Sequence, residues 1–302
     1  MRKRIVFIAA GALLLVGLIG AFLFGPVLIE KQKKYVSTDF TMGSILTTTH
    51  WGHDPAWKVS QRIRELEREL TNATEAPLLA IEIMEASDGA FDPYLGALVK
   101  LWNINDEPYL PSPEEISEAL QRREVDLGAY GKGAACDMAL KVSNVPAVIS
   151  LGGNIMTYGK KPWGQPFKIA LRDPRGGPND TMGVFTLRGT NFISTSGSYE
   201  KFFERDGKRY HHIFDPQTGY PAEREPGLVS VTVITRGGEA PGALGDMIST
   251  ACFVLGYGES QDLLKQYNCD ALFIYEDCEV RAAGHVKEYF KLDNTKYHWS
   301  EA

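Results

Sequence analysis

The order of helical and strand patterns is the feature that most restricts how this chain can fold. The two kinds of pattern are interspersed without the regular strand–helix alternation that builds a doubly wound parallel sheet. The helical patterns cover Ala56–Leu70, Leu78–Ser87, Leu95–Trp102, the segment after Ser112 and Gly245–Leu255. The strand patterns cover Tyr35–Thr49, Ala147–Leu151, Phe167–Leu171, Val184–Leu187, Leu228–Ile234, Ala271–Tyr275 and Val280–Ala283. We therefore expect an α+β fold with mixed or antiparallel sheets and flanking helices.

The first residues differ in composition from the rest of the chain. Arg2, Lys3 and Arg4 precede an uncharged apolar run from Ile5 to Phe24, long enough for the ~20 residues of a membrane-spanning helix. The region that follows lacks the small-x-small pattern of a cleavage site. Basic residues flank the run on both sides, so the positive-inside comparison is nearly balanced. We predict an uncleaved signal anchor over residues 1–30 in the cytoplasmic membrane. One globular domain, residues 35–302, would then face the periplasm or the cell exterior.

The composition of that domain excludes some classes of function. The chain is 44% hydrophobic and 23% charged, as ordinary globular proteins are, and its net charge of −6 argues against a nucleic-acid surface. The four cysteines, Cys136, Cys252, Cys269 and Cys278, do not have zinc-site spacing. Cys269 and Cys278 flank a predicted strand. A disulfide between them and a pair of unpaired thiols are both compatible with the sequence.

The segment Ile193–Pro221 combines residues typical of a binding or catalytic loop, and it is too polar to be expected in the core. Asp206-Gly207 predicts a tight turn between two short strands, and the pair His211–His212 follows. The alternative is a solvated hairpin with an incidental histidine pair. The segment opens with small residues that can offer hydroxyl and N–H groups to an anion, namely Ser194, Thr195, Ser196 and Gly197.

Two other patterns suit the binding of a phosphate and its counter-ion. Glycines surround Lys132 just before a helical run, as in an anion-binding turn at a helix N-terminus, although P-loop spacing is absent. Asp246 and Thr250 are four residues apart and share a helix face, where they would offer the hard oxygen ligands that Mg²⁺ takes. A helix-capping pair is the alternative, and the spacing alone favours it.

Taken together, the motifs of the chain resemble those of the FAD:protein FMN transferases, the ApbE family. They occur in family order over most of the chain after residue 40. The matching segments are Met42-Gly43-Ser44, Gly89–Pro93 (GAFDP), Val125–Gly133 (VDLGAYGKG), Ser150–Asn154 (SLGGN), Thr195–Phe203 (TSGSYEKFF), His211–Pro221 (HHIFDPQTGYP) and Gly245–Thr250 (GDMIST).

The resemblance implies a role for particular residues in an ApbE-like domain with a T-fold-related core. His212 matches the family histidine expected to transfer a proton. The residues implied to line or contact FAD are Met42, Ala90, Phe91, Asp92, Asp126 and Lys132. Those implied to hold the divalent metal, normally Mg²⁺, are Ala129 through its carbonyl, Asp246 and Thr250.

The activity implied by the resemblance is flavin transfer to another protein. Such an enzyme splits FAD, attaches FMN to a threonine or serine hydroxyl of a flavoprotein subunit of a membrane redox complex, and releases AMP. Hydrolysis of FAD to FMN and AMP, and FAD binding without catalysis, remain alternatives. The chain departs from the family pattern in three short links: Leu70–Leu78, where the family usually has an aromatic residue that stacks on the flavin, the approach to Asp126, and Asp137–Val148.

Overall fold

A computed structural model describes residues 32–225 and 227–300, so the predicted anchor lies outside the described residues. None of the helices in these two ranges is long and apolar enough to cross a membrane. The helices are α1 Ala56–Thr71, α2 Leu78–Ala86, α3 Gly96–Trp102, α4 Pro113–Gln121, α5 Gly131–Val142, α6 Pro241–Glu259 and α7 Gln261–Gln266. The strands are β1 Lys34–Thr41, β2 Ser44–Trp51, β3 Ala147–Leu151, β4 Asn154–Tyr158, β5 Phe167–Arg172, β6 Thr181–Leu187, β7 Asn191–Gly197, β8 Phe202–Arg205, β9 Lys208–His211, β10 Leu228–Thr235, β11 Asp270–Tyr275, β12 Glu279–Ala283, β13 Phe290–Leu292 and β14 His298–Trp299.

The strands form one large sheet and two small ones. The large sheet has nine strands in the order β1-β2-β3-β4-β7-β10-β11-β12-β14. A second sheet has the order β13-β6-β5, and β8 pairs only with β9. Every neighbouring pair is antiparallel except β12 and β14. The expected α+β class with antiparallel and mixed sheets is therefore confirmed.

The core lies on both faces of the large sheet. Strands β10 and β11 are buried along their whole length because each face packs against another layer. Val231 and Phe273 contact the apolar side of α6, whereas Ile234 and Leu272 pack against the three-stranded sheet. The domain therefore has three layers: the helices, the large sheet and the small sheet. The loops that form the cleft described below lie on the helix side.

Helices α5 and α6 cross at two glycines that let their backbones touch. A Cβ atom added at Gly133 would lie 2.2 Å from the Gly242 carbonyl oxygen, and one added at Gly242 would lie 2.3 Å from that of Gly133. Neither helix has a side-chain cap of its own at its N-terminus. Asp137 of α5 instead accepts hydrogen bonds from the Gly242 and Ala243 N–H groups of α6, at 2.8 and 2.9 Å. Asp246 of α6 accepts one from Gly133 N–H of α5, at 2.8 Å. Each helix therefore caps the other.

An aromatic cluster holds the histidine-containing loop against α3. Trp102 is completely buried, and its indole N–H donates to the Gly219 carbonyl at 3.0 Å. Gly219 has a φ of 71°, a left-handed conformation that favours glycine. The indole ring packs against aromatic side chains of the β8–β9 hairpin and the following loop, namely Phe203, Tyr210, Phe214 and Tyr220.

The structure corrects several expectations about local structure. The strand pattern Tyr35–Thr49 forms two strands, because Met42 and Gly43, both at positive φ, make the turn of the β1–β2 hairpin. Helix α6 begins at Pro241, four residues before the expected start, and strands β13 and β14 follow the last strand predicted from the sequence. All four cysteines are free thiols, so no disulfide joins Cys269 to Cys278 in this structure.

The start of the Ile193–Pro221 segment was also interpreted wrongly. Residues 193–197 lie in β7, inside the large sheet rather than in a loop. Their hydroxyls are tolerated there because they find partners, such as Ser194 with the Asn154 side chain at 2.6 Å and Thr195 with Thr232 at 2.9 Å. The expected turn at Asp206-Gly207 is present between β8 and β9.

The contact between α5 and α6 makes a stability prediction. We expect Gly242→Ala to lower the free energy of unfolding by about 2 kcal/mol, because the new methyl group would overlap backbone atoms that cannot move independently. Gly258→Ala is the matched control in the same helix, since a Cβ there meets nothing within 4 Å. Urea unfolding followed by circular dichroism measures both. Equal stability of the two variants would contradict the close helix contact.

Candidate active site

One cleft gathers the ten residues to which the family resemblance assigns a role. Its volume is about 380 Å³, and it opens between the β1–β2 turn, the N-terminal ends of α5 and α6, and the start of the β8–β9 hairpin. The predicted residues that line it are Met42, Ala90, Phe91, Asp92, Asp126, Ala129, Lys132, His212, Asp246 and Thr250. Tertiary structure thus brings together segments that are far apart in the chain. The individual roles stay predictions.

The β1–β2 turn enters the cleft with a backbone held by α1. Met42 has a φ of 50°, which is unusual for a residue with a side chain. Glu67 of α1 fixes the turn because its carboxylate accepts from Met42 N–H at 2.9 Å and from the Thr41 hydroxyl at 2.8 Å. Gly131 leaves room for the Met42 methyl group, which would lie 3.0 Å from a Cβ there. The Met42 side chain is thereby directed to one place in the cleft.

The glycine-rich turn places Lys132 in the first turn of α5. Asp126 begins this turn by accepting from Gly128 N–H at 2.9 Å. Gly152 provides space for the lysine stem, because a Cβ at Gly152 would lie 3.2 Å from Lys132 Cδ. Burial raises the pKa of Asp126, and the nearby charge of Asp246 adds to this effect, whereas Gly128 N–H and Lys132 oppose it. Two carboxylates and one ammonium group therefore share this end of the cleft.

Asp246 and Thr250 lie one helical turn apart and do not cap α6. The Asp246 carboxylate is buried and accepts from Gly133 N–H and from the Asn154 amide at 3.0 Å. The Thr250 hydroxyl donates to the Asp246 backbone carbonyl at 3.2 Å and contacts Ser196 at 3.3 Å. The capping alternative is wrong because α6 starts well before Asp246 and is capped by Asp137.

The donor set suits a hard cation. Both hydrogen-bond donors to Asp246 are uncharged, so they leave its negative charge uncompensated, and each carboxylate oxygen retains a further lone pair. Together with the Asp246 carboxylate, the Ala129 carbonyl and the Thr250 hydroxyl would provide oxygen ligands, which Mg²⁺ prefers. Among residues 32–225 and 227–300 there is no cluster of three or more His, Cys, Asp or Glu side chains able to hold a metal.

The two adjacent histidines have different environments. His211 is buried, packs edge-on against Phe253, and uses both ring nitrogens: Nδ1 accepts from Ile213 N–H at 3.3 Å and Nε2 donates to the Ala222 carbonyl at 3.2 Å. His212 lines the cleft, and its Nδ1 lies 3.2 Å from the Lys201 carbonyl. Because a carbonyl only accepts, Nδ1 of His212 carries the hydrogen and Nε2 is left as the basic nitrogen.

The surroundings of His212 keep its ring neutral. Burial in the cleft lowers the pKa of His212 well below its ordinary value, and the positive charges of Lys201 and Lys132 lower it further. The ring can therefore accept a proton at neutral pH, but it holds none before the reaction.

Several residues around the cleft were not identified from the sequence. Glu67 lies in the charged run RIRELEREL of α1, whose composition is typical of a solvated helix face. Lys201 and Glu200 line the cleft and lie within the motif Thr195–Phe203, but the motif did not single them out. Asn154 ends the SLGGN motif, but its contact with Asp246 and the contact of Asp137 with Gly242 span 92 and 105 positions, so no local signal reveals them. The C-terminal end of α1 borders the cleft through Leu70 and Thr71, and the short link that follows has no aromatic residue.

Sequence comparison finds related proteins over most of the domain. The ApbE family profile matches residues 58–273. The FAD:protein FMN transferase of Treponema pallidum (strain Nichols) is 36% identical over 259 residues, which are 72% of this chain and 69% of that protein. Those of Klebsiella pneumoniae (strain 342) and Salmonella typhimurium are 35% and 32% identical over 64% and 66% of this chain. The matches cover 66% and 64% of those two relatives, so this chain spans about two thirds of their length.

Solved structures share the fold. The ApbE protein of Thermotoga maritima has a TM-score of 0.71 and 26% identity, and the match covers 85% of this chain and 99% of that one. The apo form of the Pseudomonas stutzeri flavinyl transferase ApbE has a TM-score of 0.66 and 25% identity, with 85% and 96% of the chains covered.

The environment of His211 makes a prediction about pH and stability. Burial lowers the pKa of His211 from 6.5 to about 4. The unfolded chain therefore binds a proton first as the pH falls, and we expect the wild type to lose stability between pH 6.5 and 4, by up to about 3 kcal/mol. His211→Gln should be less stable at pH 7 but should lose less stability over this range. His285→Gln, at an exposed position, is the control. The test is the urea unfolding midpoint of each variant, measured as a function of pH. If His211→Gln loses stability with falling pH as steeply as the wild type does, the low pKa of His211 is contradicted.

Proposed function

Because this chain belongs to the ApbE family, we propose that it is a Mg²⁺-dependent FAD:protein FMN transferase. It would cleave FAD between the two phosphates, join FMN through a phosphoester to a threonine or serine hydroxyl of a flavoprotein, and release AMP. The observation that carries the proposal is the single cleft that unites Asp246 and Thr250 with Lys132 and a neutral His212. The related proteins named above have this activity in their names.

The two walls of the cleft suit different parts of FAD. Met42 and the segment Ala90–Asp92 form the less charged end, and the buried Phe91 is held by a hydrogen bond from its N–H to the Ser87 hydroxyl at 3.1 Å. Lys132, Asp126 and Asp246 form the charged end. We assign the flavin to the first end and the diphosphate to the second. Apolar walls with a few fixed polar groups are typical of sites for large cofactors.

The charged end would stabilise the transferring phosphoryl group. Asp246, Thr250 and the Ala129 carbonyl would hold Mg²⁺, which neutralises charge on the phosphoryl oxygens. Lys132 adds a positive charge at the N-terminus of α5, where backbone N–H groups also favour an anion. Because Gly133 N–H and the Asn154 amide hold the Asp246 carboxylate, this arrangement exists before FAD binds.

His212 would take the proton from the incoming hydroxyl. Its Nδ1–H is held by the Lys201 carbonyl, so Nε2 receives the proton while the hydroxyl oxygen bonds to the phosphorus of FMN. The phosphorus–oxygen bond to AMP breaks, and AMP leaves with the electron pair of that bond. With water in place of the hydroxyl, the same residues would hydrolyse FAD, so the identity of the product distinguishes the two reactions.

The decisive experiment combines FAD and MgCl₂ with a threonine-containing acceptor. Covalent flavin is read by in-gel fluorescence, and AMP is quantified in the same sample. We expect equal amounts of both with the wild type. We expect His212→Gln to lower kcat by about 10²- to 10⁴-fold, the usual contribution of a general base.

Control variants and the alternative products complete this experiment. His285→Gln replaces an exposed histidine and should keep wild-type activity. AMP without labelled acceptor would indicate a hydrolase. Bound FAD without either product would indicate a binding protein and would reject the transferase.

We also propose that residues 1–30 anchor the enzyme in the cytoplasmic membrane, with the domain outside the cytoplasm, next to an acceptor subunit of a membrane redox complex. The full chain should remain in the membrane pellet after alkaline carbonate washing, whereas a chain that starts at Lys34 should be released. Recovery of the full chain in the carbonate supernatant would reject the anchor. Protease accessibility in spheroplasts tests which side of the membrane the domain faces.

A further inference from the structure

Lys201 is the cross-strand neighbour of His212 at the mouth of the cleft. It directly precedes β8, and His212 directly follows β9. The Lys201 carbonyl lies 3.2 Å from both the backbone nitrogen and Nδ1 of His212. The two residues thus extend the β8–β9 ladder by one pair, and cross-strand partners lie on the same face of a hairpin. Both of them line the cleft.

Lys201 forms no ion pair within 4.0 Å among the residues that the structure describes, although it lines the cleft. The adjacent carboxylate, Glu200, pairs with Arg172 at 3.7 Å. Partial burial and the charge of Lys132 lower the pKa of Lys201, while Glu200, Asp126 and Asp106 act in the opposite direction. Two lysines that repel each other across one cleft store an unfavourable interaction, which a bound polyanion between them would relieve.

We propose that Lys201 is the second cation of a diphosphate-binding subsite, in which its ammonium group acts together with Lys132 and its backbone carbonyl positions His212. This inference rests on the proposed function and deepens it. The backbone carbonyl of Lys201 orients the His212 ring. Its ammonium group would bind an FAD phosphate. Burial is the main reason that the imidazolium form of His212 is disfavoured, and the positive charges of Lys201 and Lys132 add to this effect.

The same residue would thus couple substrate binding to proton transfer. In the free enzyme, burial and the two lysines keep Nε2 of His212 unprotonated. When the diphosphate binds, its negative charge offsets the positive charges of the two lysines. His212 therefore becomes a stronger base only once FAD is in place. This order restricts proton abstraction to the complex in which a phosphoryl group is ready for transfer.

Flavin binding tests the subsite without requiring turnover. FAD and riboflavin are titrated into the detergent-purified full chain with MgCl₂, and flavin fluorescence is followed. For Lys201→Met we expect the Kd for FAD to rise about tenfold or more, as for the loss of one charge-assisted contact, with riboflavin binding unchanged. Lys201→Arg should restore most of the affinity. Lys208→Met, on the same hairpin but paired with Glu223 at 3.4 Å, should bind FAD as the wild type does.

The pKa of His212 tests the electrostatic part of the proposal. Removal of a neighbouring positive charge must raise this pKa, so the histidine NMR titration and the acid limb of the kcat/KM profile should both move to higher pH in Lys201→Met. Lys201→Arg should show the wild-type values.

Three results would overturn the inference. They are an unchanged Kd for FAD in Lys201→Met, an equal loss of FAD and riboflavin binding, which indicates a structural role, or an unchanged pKa of His212. If the wild type binds FAD but transfers no flavin to any acceptor, the proposed function fails, while the binding and NMR data still decide the role of Lys201.

Discussion

The mutual capping of α5 and α6 is the interaction on which the candidate active site depends. Two glycines bring the helix backbones into contact, and each helix then supplies the carboxylate that the other lacks at its N-terminus. A buried carboxylate is costly unless it is hydrogen-bonded, and a helix end is costly unless its N–H groups are satisfied. Here the carboxylate of one helix accepts from the N–H groups of the other, so neither group is left without a hydrogen-bond partner. Asp137 serves only this contact, and burial raises its pKa to about 6 even though two N–H groups donate to it. Asp246 serves the contact and also faces the cleft, so the geometry of the proposed metal site follows directly from the way the helices cross.

The hairpins on either side of this helix crossing are also held in place by side chains of other elements. Glu67 holds the β1–β2 turn that carries Met42, and Trp102 holds the loop that follows the β8–β9 hairpin. The cleft thus has one less polar wall and one wall rich in charges of both signs. Like charges that act on each other, such as Lys132 on Lys201 and Asp246 on Asp126, are costly to the free protein. A wall with charges of both signs suits a substrate that carries both a diphosphate and its counter-ion.

The errors in interpreting the sequence have a common physical origin. In each case, a polar residue was expected to be exposed only because it is polar. Residues 193–197 are polar yet lie in a central strand, because their hydroxyls bond to side chains of neighbouring strands and of α6. Glu67 looked like part of a solvated face, yet its carboxylate is used by a turn 25 residues earlier. Spacing along α6 placed Asp246 and Thr250 on one face correctly, but it could not distinguish a cap from a ligand pair, because the answer depends on where the helix starts.

The sequence alone predicts the fold class, most helices and strands, the Asp206-Gly207 turn and the ten cleft residues that the family motifs mark. These depend on local periodicity, on turn chemistry and on motifs whose order matches one family. The tertiary structure was needed to decide which carboxylate caps which helix, and to show that Glu67 and Lys201 line the cleft and that Asn154 holds Asp246. The reason is that these contacts join residues far apart in the chain, such as Asp246 with Asn154 and Asp137 with Gly242. Their free energy comes from burial and hydrogen bonding, which arise only when the elements pack.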